Sequence, residues 1–264
     1  MSLFQCSFFS KILCTTTKVL VSLPSYGSAK SLELPVEQVH NRREKKVLYL
    51  LHGMFEDETI WLRRSNVERY ATEYEVALVM PYGENSYYTD MAHGLPYFTY
   101  LTEELPRFIQ NSFGIMQNPN NTAIAGLSMG GYGACKAAFL RPDLFGAFAS
   151  ISGAVDMQQL ADMAEQVGMA SLVKNIVGHP EKIPSSDTDI FYLAQQCMER
   201  NVDVPKGYIS CGLEDEACYP MNQKLKEHLE KIGYPFQYHE SHGAHEWNFW
   251  DAEIQKIVKW LREV

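Results

Sequence analysis

No stretch of the 264-residue sequence approaches the roughly 18 consecutive apolar residues that a membrane-spanning helix requires, so no membrane partner is expected. The N-terminal MSLFQCSFFSKILC lacks both a basic stretch ahead of a sustained apolar core and a cleavage signal, and it reads as a strand rather than an export leader. A positive balance is also missing: the formal net charge is −9, which argues against nucleic acid and anionic membrane surfaces as partners. The six cysteines (Cys6, Cys14, Cys135, Cys197, Cys211 and Cys218) form no CxxC pair, and several lie inside apolar runs. Buried free thiols in a reducing compartment follow, so a cytoplasmic protein is expected. Internal repeats, low-complexity tracts and Pro/Ser-rich linkers are absent, which leaves one domain over residues 1–264 as the expectation.

What is present is a 46% hydrophobic composition, enough for a sizeable core, and a regular alternation. Short apolar runs occur at 47–51 (VLYLL), 76–80 (VALVM), 122–126 (TAIAG), 145–153 (FGAFASISG), 207–212 (GYISCG) and 236–241 (FQYHES). Between and beyond them lie amphipathic stretches at 66–74, 97–111, 129–141, 190–200, 221–232 and 247–262 that read as helices. This rhythm predicts an α/β fold with a mostly parallel central sheet and helices on both faces. The first 23 residues hold two β-rich stretches and predict an antiparallel pair at one edge. Residues 154–189 break the rhythm, with no clear strand; a segment of this length reads either as a cap over one end of the sheet or as a solvated helical excursion.

Within AIAGLSMGGYGACKAA, Gly126-Leu127-Ser128-Met129-Gly130 fits G-x-S-x-G, preceded by a strand pattern and followed by a helix pattern. That context predicts a sharp turn that strains the serine backbone and projects its hydroxyl at the C-terminal edge of the sheet, with glycines where segments must approach closely. A phosphate cradle is the rival reading of glycines here. It fails because the G-K-[ST] ending is missing and Lys136 comes too late.

A serine hydroxyl needs a histidine base, an orienting carboxylate and an oxyanion site. In this architecture the acid and then the histidine follow the serine in the chain. His245 in SHGAHEW lies in a loop between the last strand and the last helix and is the favoured base, with His242 as the alternative. The spacing of His239, His242 and His245 invites a metal reading, but a strand-to-loop path points the rings apart and HExxH is absent, so no metal and no organic cofactor are implied. Among Glu214, Asp215 and Glu216, just past a strand, Asp215 is the chosen acid for its short, rigid side chain, and Glu214 stays open. The amide after the serine, that of Met129, supplies one oxyanion donor; that of Met54 in LLHGM supplies the second. His52 in the same motif is expected to orient the loop rather than exchange protons.

Taken together, YLLHGM, NVERYA, YYTDMAHG, GLSMGGYGA, GLEDE and GAHEWNFWD resemble the α/β-hydrolase esterases of the esterase D group, with the nearest likeness to bacterial tributyrin esterases. The resemblance runs from about residue 3 to residue 260. It implies Ser128, Asp215 and His245 as the triad, Met54 and Met129 as oxyanion donors, and Trp61, Tyr87, Tyr88 and Trp247 near the substrate. The implied activity is hydrolysis of short-chain acyl esters of small molecules, with self-association as a homo-oligomer left open. The group also holds S-formylglutathione hydrolases and the acetylxylan and feruloyl esterases of plant polysaccharide. Its thioester hydrolases tend to carry histidine after the glycine pair, where this chain has Tyr132. The loop FEDETIW is more acidic than the group's small glycine-containing loop, which leaves Asp57 and its neighbours either at the pocket mouth or in solvent. A hydrolase-fold receptor without activity is the reading from another class, and it is disfavoured because all three triad candidates are present.

Overall fold

A computed structural model describes residues 1–39, 46–200 and 202–264. Among the described residues eight strands form one sheet: β1 (Ser2–Ser10), β2 (Thr15–Leu23), β3 (Lys46–Leu51), β4 (Val76–Pro81), β5 (Thr122–Leu127), β6 (Ala147–Ile151), β7 (Lys206–Gly212) and β8 (Phe236–Ser241), in the order β1-β2-β4-β3-β5-β6-β7-β8. Strands β3 to β8 run parallel, while β1 pairs antiparallel with β2 and β2 antiparallel with β4. The inner strands read as continuous apolar runs because both faces are covered. In β3, Leu48 and Leu50 pack on one face, and Val47, Tyr49 and Leu51 on the other.

Eight helices of eight or more residues are present among the described residues: α1 (Val67–Tyr74), α2 (Leu105–Phe113), α3 (Met129–Leu140), α4 (Met157–Gln166), α5 (Ala170–Val177), α6 (Ile190–Glu199), α7 (Tyr219–Ile232) and α8 (Trp247–Trp260). Helices α1 and α8 bury Val67, Tyr70, Ile254 and Ile257 on one face. The remaining helices lie on the other, where Ile109, Tyr132, Leu193 and Leu225 join the larger core. None is long and apolar enough to cross a membrane.

Two sequence expectations shift in detail. The stretch expected as one helix over 97–111 is a helical path with a π-helical turn at Tyr100–Glu104 before α2. The expected helix at 221 begins at Tyr219, where Pro220 in the first turn needs no N–H partner. All six thiols are free; Cys135, Cys197, Cys211 and Cys218 are buried, whereas Cys6 is half-buried and Cys14 exposed.

Strand order decides which loops meet. The ends of β3 and β5 are adjacent, with Leu51 opposite Gly126, and the ends of β7 and β8 are adjacent, with Gly212 opposite Ser241. Four C-terminal strand ends thereby converge at one rim of the sheet, the usual place for a ligand site in an open α/β sheet.

Candidate active site

The chain leaves β5 and enters α3 through Ser128, held at φ 52°, ψ −117°, a left-handed backbone that a non-glycine residue adopts only when its surroundings impose it. Those surroundings are explicit. The Ser128 N–H donates to Ile151 O at 2.9 Å, tying the turn to β6, and Ser128 O accepts from Gly131, Tyr132 and Ala154. The flanking glycines are steric necessities: a Cβ on Gly126 would lie 2.4 Å from the Gly130 carbonyl, and one on Gly130 would lie 2.5 Å from Leu51 O. Helix α3 is buried almost all round, which accounts for its small residues and for its low amphipathicity.

At the other end of the rim, Asp215 follows β7 and is buried, and its Oδ2 lies 2.7 Å from His245 Nδ1. The second carboxylate oxygen accepts the Cys218 N–H at 3.0 Å. Burial alone would push the Asp215 carboxyl up, but the hydrogen bond and charge of His245, with the Cys218 N–H, outweigh it and hold the acid below its usual range. An ionised carboxylate accepts only, so Nδ1 carries the proton and Nε2 is left as the acceptor. The ring edge of Trp250, in the first turn of α8, packs against the imidazole at 4.9 Å and 88°. Neither Ser128 Oγ nor His245 Nε2 makes a hydrogen bond to another described residue, a looseness common in unliganded sites.

The alternatives left open by the sequence pair with each other. His242 Nδ1 lies 2.7 Å from Glu214 Oε1, and Glu214 also accepts the Gly243 N–H at 2.6 Å, so both side chains are spent on clipping the loops together at the surface. The hydrogen bond from the Gly243 N–H and, after it, that from His242 hold Glu214 low, and Glu214 in turn raises His242. His239 stacks on Tyr208 at 4.4 Å, so the three histidines do not converge. One mixed group does: the ligand atoms of Asp215, Cys218 and His245 lie within 4.8 Å of one another. Burial pushes the Cys218 thiol well up, which keeps it protonated, and the other two already satisfy each other; the set reads as an acid–base pair beside a thiol.

The loop after β3 is oriented by His52. Its Nδ1 lies 2.7 Å from Gly53 O, and its Nε2 accepts the Gly83 N–H at 2.9 Å, which assigns the proton to Nδ1. Burial pushes this imidazole down to about 4, so it is neutral near pH 7. The carbonyl it holds belongs to the same trans peptide as the Met54 N–H, which must therefore point the opposite way. The amides of Met54 and Met129 have no acceptor among the described residues.

Residues 154–189 fold as α4, α5 and a short 3₁₀ turn at Pro180–Lys182. Leu160, Met163, Leu172 and Ile176 from this segment enclose, with Met54 and Tyr87, an apolar cavity of about 250 Å³. Of the aromatic residues expected near a substrate, Tyr87 lines that cavity. Trp61 and Tyr88 do not: each is 1% exposed, with Trp61 Nε1 donating to Leu51 O and Tyr88 Oη to His52 O, so they brace the loop from below. Trp247 stands between Trp61 and Trp250, edge to face with both at 5.2 Å.

In the acidic loop, Asp57 is turned away, accepting from the Thr59 N–H and hydroxyl. Glu56 instead reaches inward, and Trp250 contacts the histidine; reading the sequence singled out neither. The only signal for Glu56 was an acidic loop where a small one is expected.

A parallel sheet with a strained serine after β5 and a carboxylate–imidazole pair at the ends of β7 and β8 defines the α/β-hydrolase class. The chain belongs to the esterase family whose model, described as "Putative esterase", matches residues 13–261, and it is a carboxylic ester hydrolase. It is 30% identical over 269 residues to an acetyl esterase of Caldicellulosiruptor saccharolyticus, covering 100% of this chain and 99% of that protein. Among solved structures it is similar to the substrate-bound fluorophosphonate-binding serine hydrolase F of Staphylococcus aureus, with 28% identity, 98% of each chain covered and a TM-score of 0.86. The S-formylglutathione hydrolase apoenzyme of the same organism matches at 28% identity over 98% of both chains with a TM-score of 0.83.

Proposed function

We propose that the protein hydrolyses short-chain acyl esters of small molecules through an acyl-enzyme, with Ser128 as nucleophile, His245 as base and Asp215 as its orienting acid. The observation that carries this reading is the 2.7 Å Asp215–His245 pair, whose free Nε2 sits on the same sheet rim as the strained Ser128. His245 Nε2 takes the Ser128 proton as Oγ attacks the ester carbonyl. The tetrahedral oxygen is received by the Met54 and Met129 N–H groups, and the N-terminal end of α3 adds positive dipole. The imidazolium then protonates the departing alkoxide, and the alcohol leaves. Water, deprotonated by the same nitrogen, attacks the acyl-enzyme, and collapse returns the carboxylic acid and Ser128.

The apolar cavity beside Met54 suits a hydrocarbon acyl group of a few carbons, with residues 154–189 acting as a cap over it. Similarity to an acetyl esterase supports a short acyl group. Ser128→Ala is expected to abolish p-nitrophenyl acetate turnover, and a fluorophosphonate to label the wild type alone. Turnover surviving in the alanine variant would remove the nucleophile assignment.

A further inference from the structure

The loop after β3 carries a carboxylate with no part in the proton path above. Glu56 is half-buried, and its two oxygens take one local and one distant N–H donor: Oε2 accepts from Gly53 N, three residues back, at 3.0 Å, and Oε1 from Trp247 Nε1 at 3.2 Å. The point where a Cβ on Gly53 would stand is 3.1 Å from Glu56 Oε2 and 3.7 Å from Ser128 Cβ, so the carboxylate and the serine both lie against Gly53.

We propose that Glu56 is a positioning residue that clamps the loop bearing the Met54 amide to the first turn of α8. This rests on the esterase reading. Both segments contribute to one transition state, the first through the oxyanion donor and the second through the base, so a side chain bonded to both keeps them in register.

The charged groups facing Glu56 are His245 from the loop before α8 and Arg64 from the short helix Ile60–Arg64; the phenol of Tyr88, kept protonated by burial, faces it from below. Burial holds the Glu56 carboxyl above its usual range, and the Gly53 N–H, the Trp247 indole and the charges of His245 and Arg64 offset this only in part. Asp57, next in sequence, is engaged by Thr59 and lies 4.0 Å from Arg63, so it does not share the task.

The test is kinetic, on p-nitrophenyl acetate across about pH 5 to 9, with Glu56→Gln, Trp247→Phe and Ser128→Ala beside the wild type. Glutamine keeps the size but has one acceptor oxygen and an NH₂ group, so it must lose one of the two donors as well as the charge. Glu56→Gln is expected to lower kcat about 10-fold with KM nearly unchanged. A merely structural role would instead lower the amount of active enzyme, counted by fluorophosphonate titration, and leave kcat per active site in place. Trp247→Phe, which removes one donor, is expected to lower kcat about 3-fold with KM nearly unchanged. Wild-type kcat per active site in Glu56→Gln, while Ser128→Ala is inactive, overturns the proposal and leaves the esterase reading standing. Should Glu56→Gln not fold, wild-type kcat in Trp247→Phe overturns it. Turnover by Ser128→Ala removes the reading beneath both.

Discussion

A single buried imidazole should make stability depend on pH in a way that one substitution removes. His52 is 1% exposed, wedged between two backbone groups, and burial depresses its pKa from 6.5 to about 4. In the unfolded chain it takes a proton near its ordinary value, while the folded state refuses one until the pH reaches the depressed value. The stability this neutral strut contributes is therefore fully present above the unfolded value. It falls away as the pH drops through the window between the two, and it levels off below the folded value. A shift from 6.5 to about 4 corresponds to about 3 kcal/mol, most of which is lost by pH 4.5. His52→Gln can still donate to Gly53 O and accept from Gly83 N–H without titrating. Urea unfolding of wild type and variant at about pH 7 and pH 4.5 isolates the contribution as a double difference, cancelling the carboxylates common to both. The variant should lose about 2–3 kcal/mol less stability across that interval, or about 5 °C less in Tm. Identical pH dependence in the two proteins would refute the claim that His52 is held neutral by burial between those backbone groups.

Other expectations can be measured on the same protein. Asp215→Asn should leave the fold intact and lower kcat about 10³- to 10⁴-fold, because an amide in place of the carboxylate favours the wrong imidazole tautomer; steady-state kinetics with a circular dichroism control checks it. Ala164→Phe should fill the apolar cavity and penalise p-nitrophenyl butanoate against acetate by about 15-fold, the worth of two buried methylenes, seen as a ratio of kcat/KM values. Lys136 is fully buried on α3, where burial lowers its pKa, and it pairs with the exposed Asp187 at 3.1 Å. Lys136→Met should therefore cost little or nothing in thermal unfolding, whereas Asp187→Ala, which strands the buried ammonium, should be destabilising by about 1–3 kcal/mol.

How legible each part was depends on the range of the interaction that decides it. The elbow at Ser128 was readable because its requirement is local steric exclusion: two glycines, a strand before and a helix after. The parallel sheet was readable because strands buried on both faces must be apolar throughout. Asp215 against Glu214 was harder. Three consecutive acids share composition and loop, and only the turn that puts Asp215 under the imidazole while Glu214 faces His242 separates them. Trp61 and Tyr88 lie close to the site in sequence and in space, yet their polar atoms are satisfied by backbone carbonyls beneath the loop, a pairing no spacing rule encodes.

The amino-acid order by itself determined the class of fold, the identity of the strained serine and the family, because periodicity, glycine placement and motif order are properties of neighbours along the chain. Tertiary structure decided which carboxylate meets His245, that Glu56 reaches Gly53 and Trp247, and that residues 154–189 wall an apolar cavity. Those contacts join residues up to 191 positions apart, and they exist only because the strand order brings the ends of β3, β5, β7 and β8 to one rim.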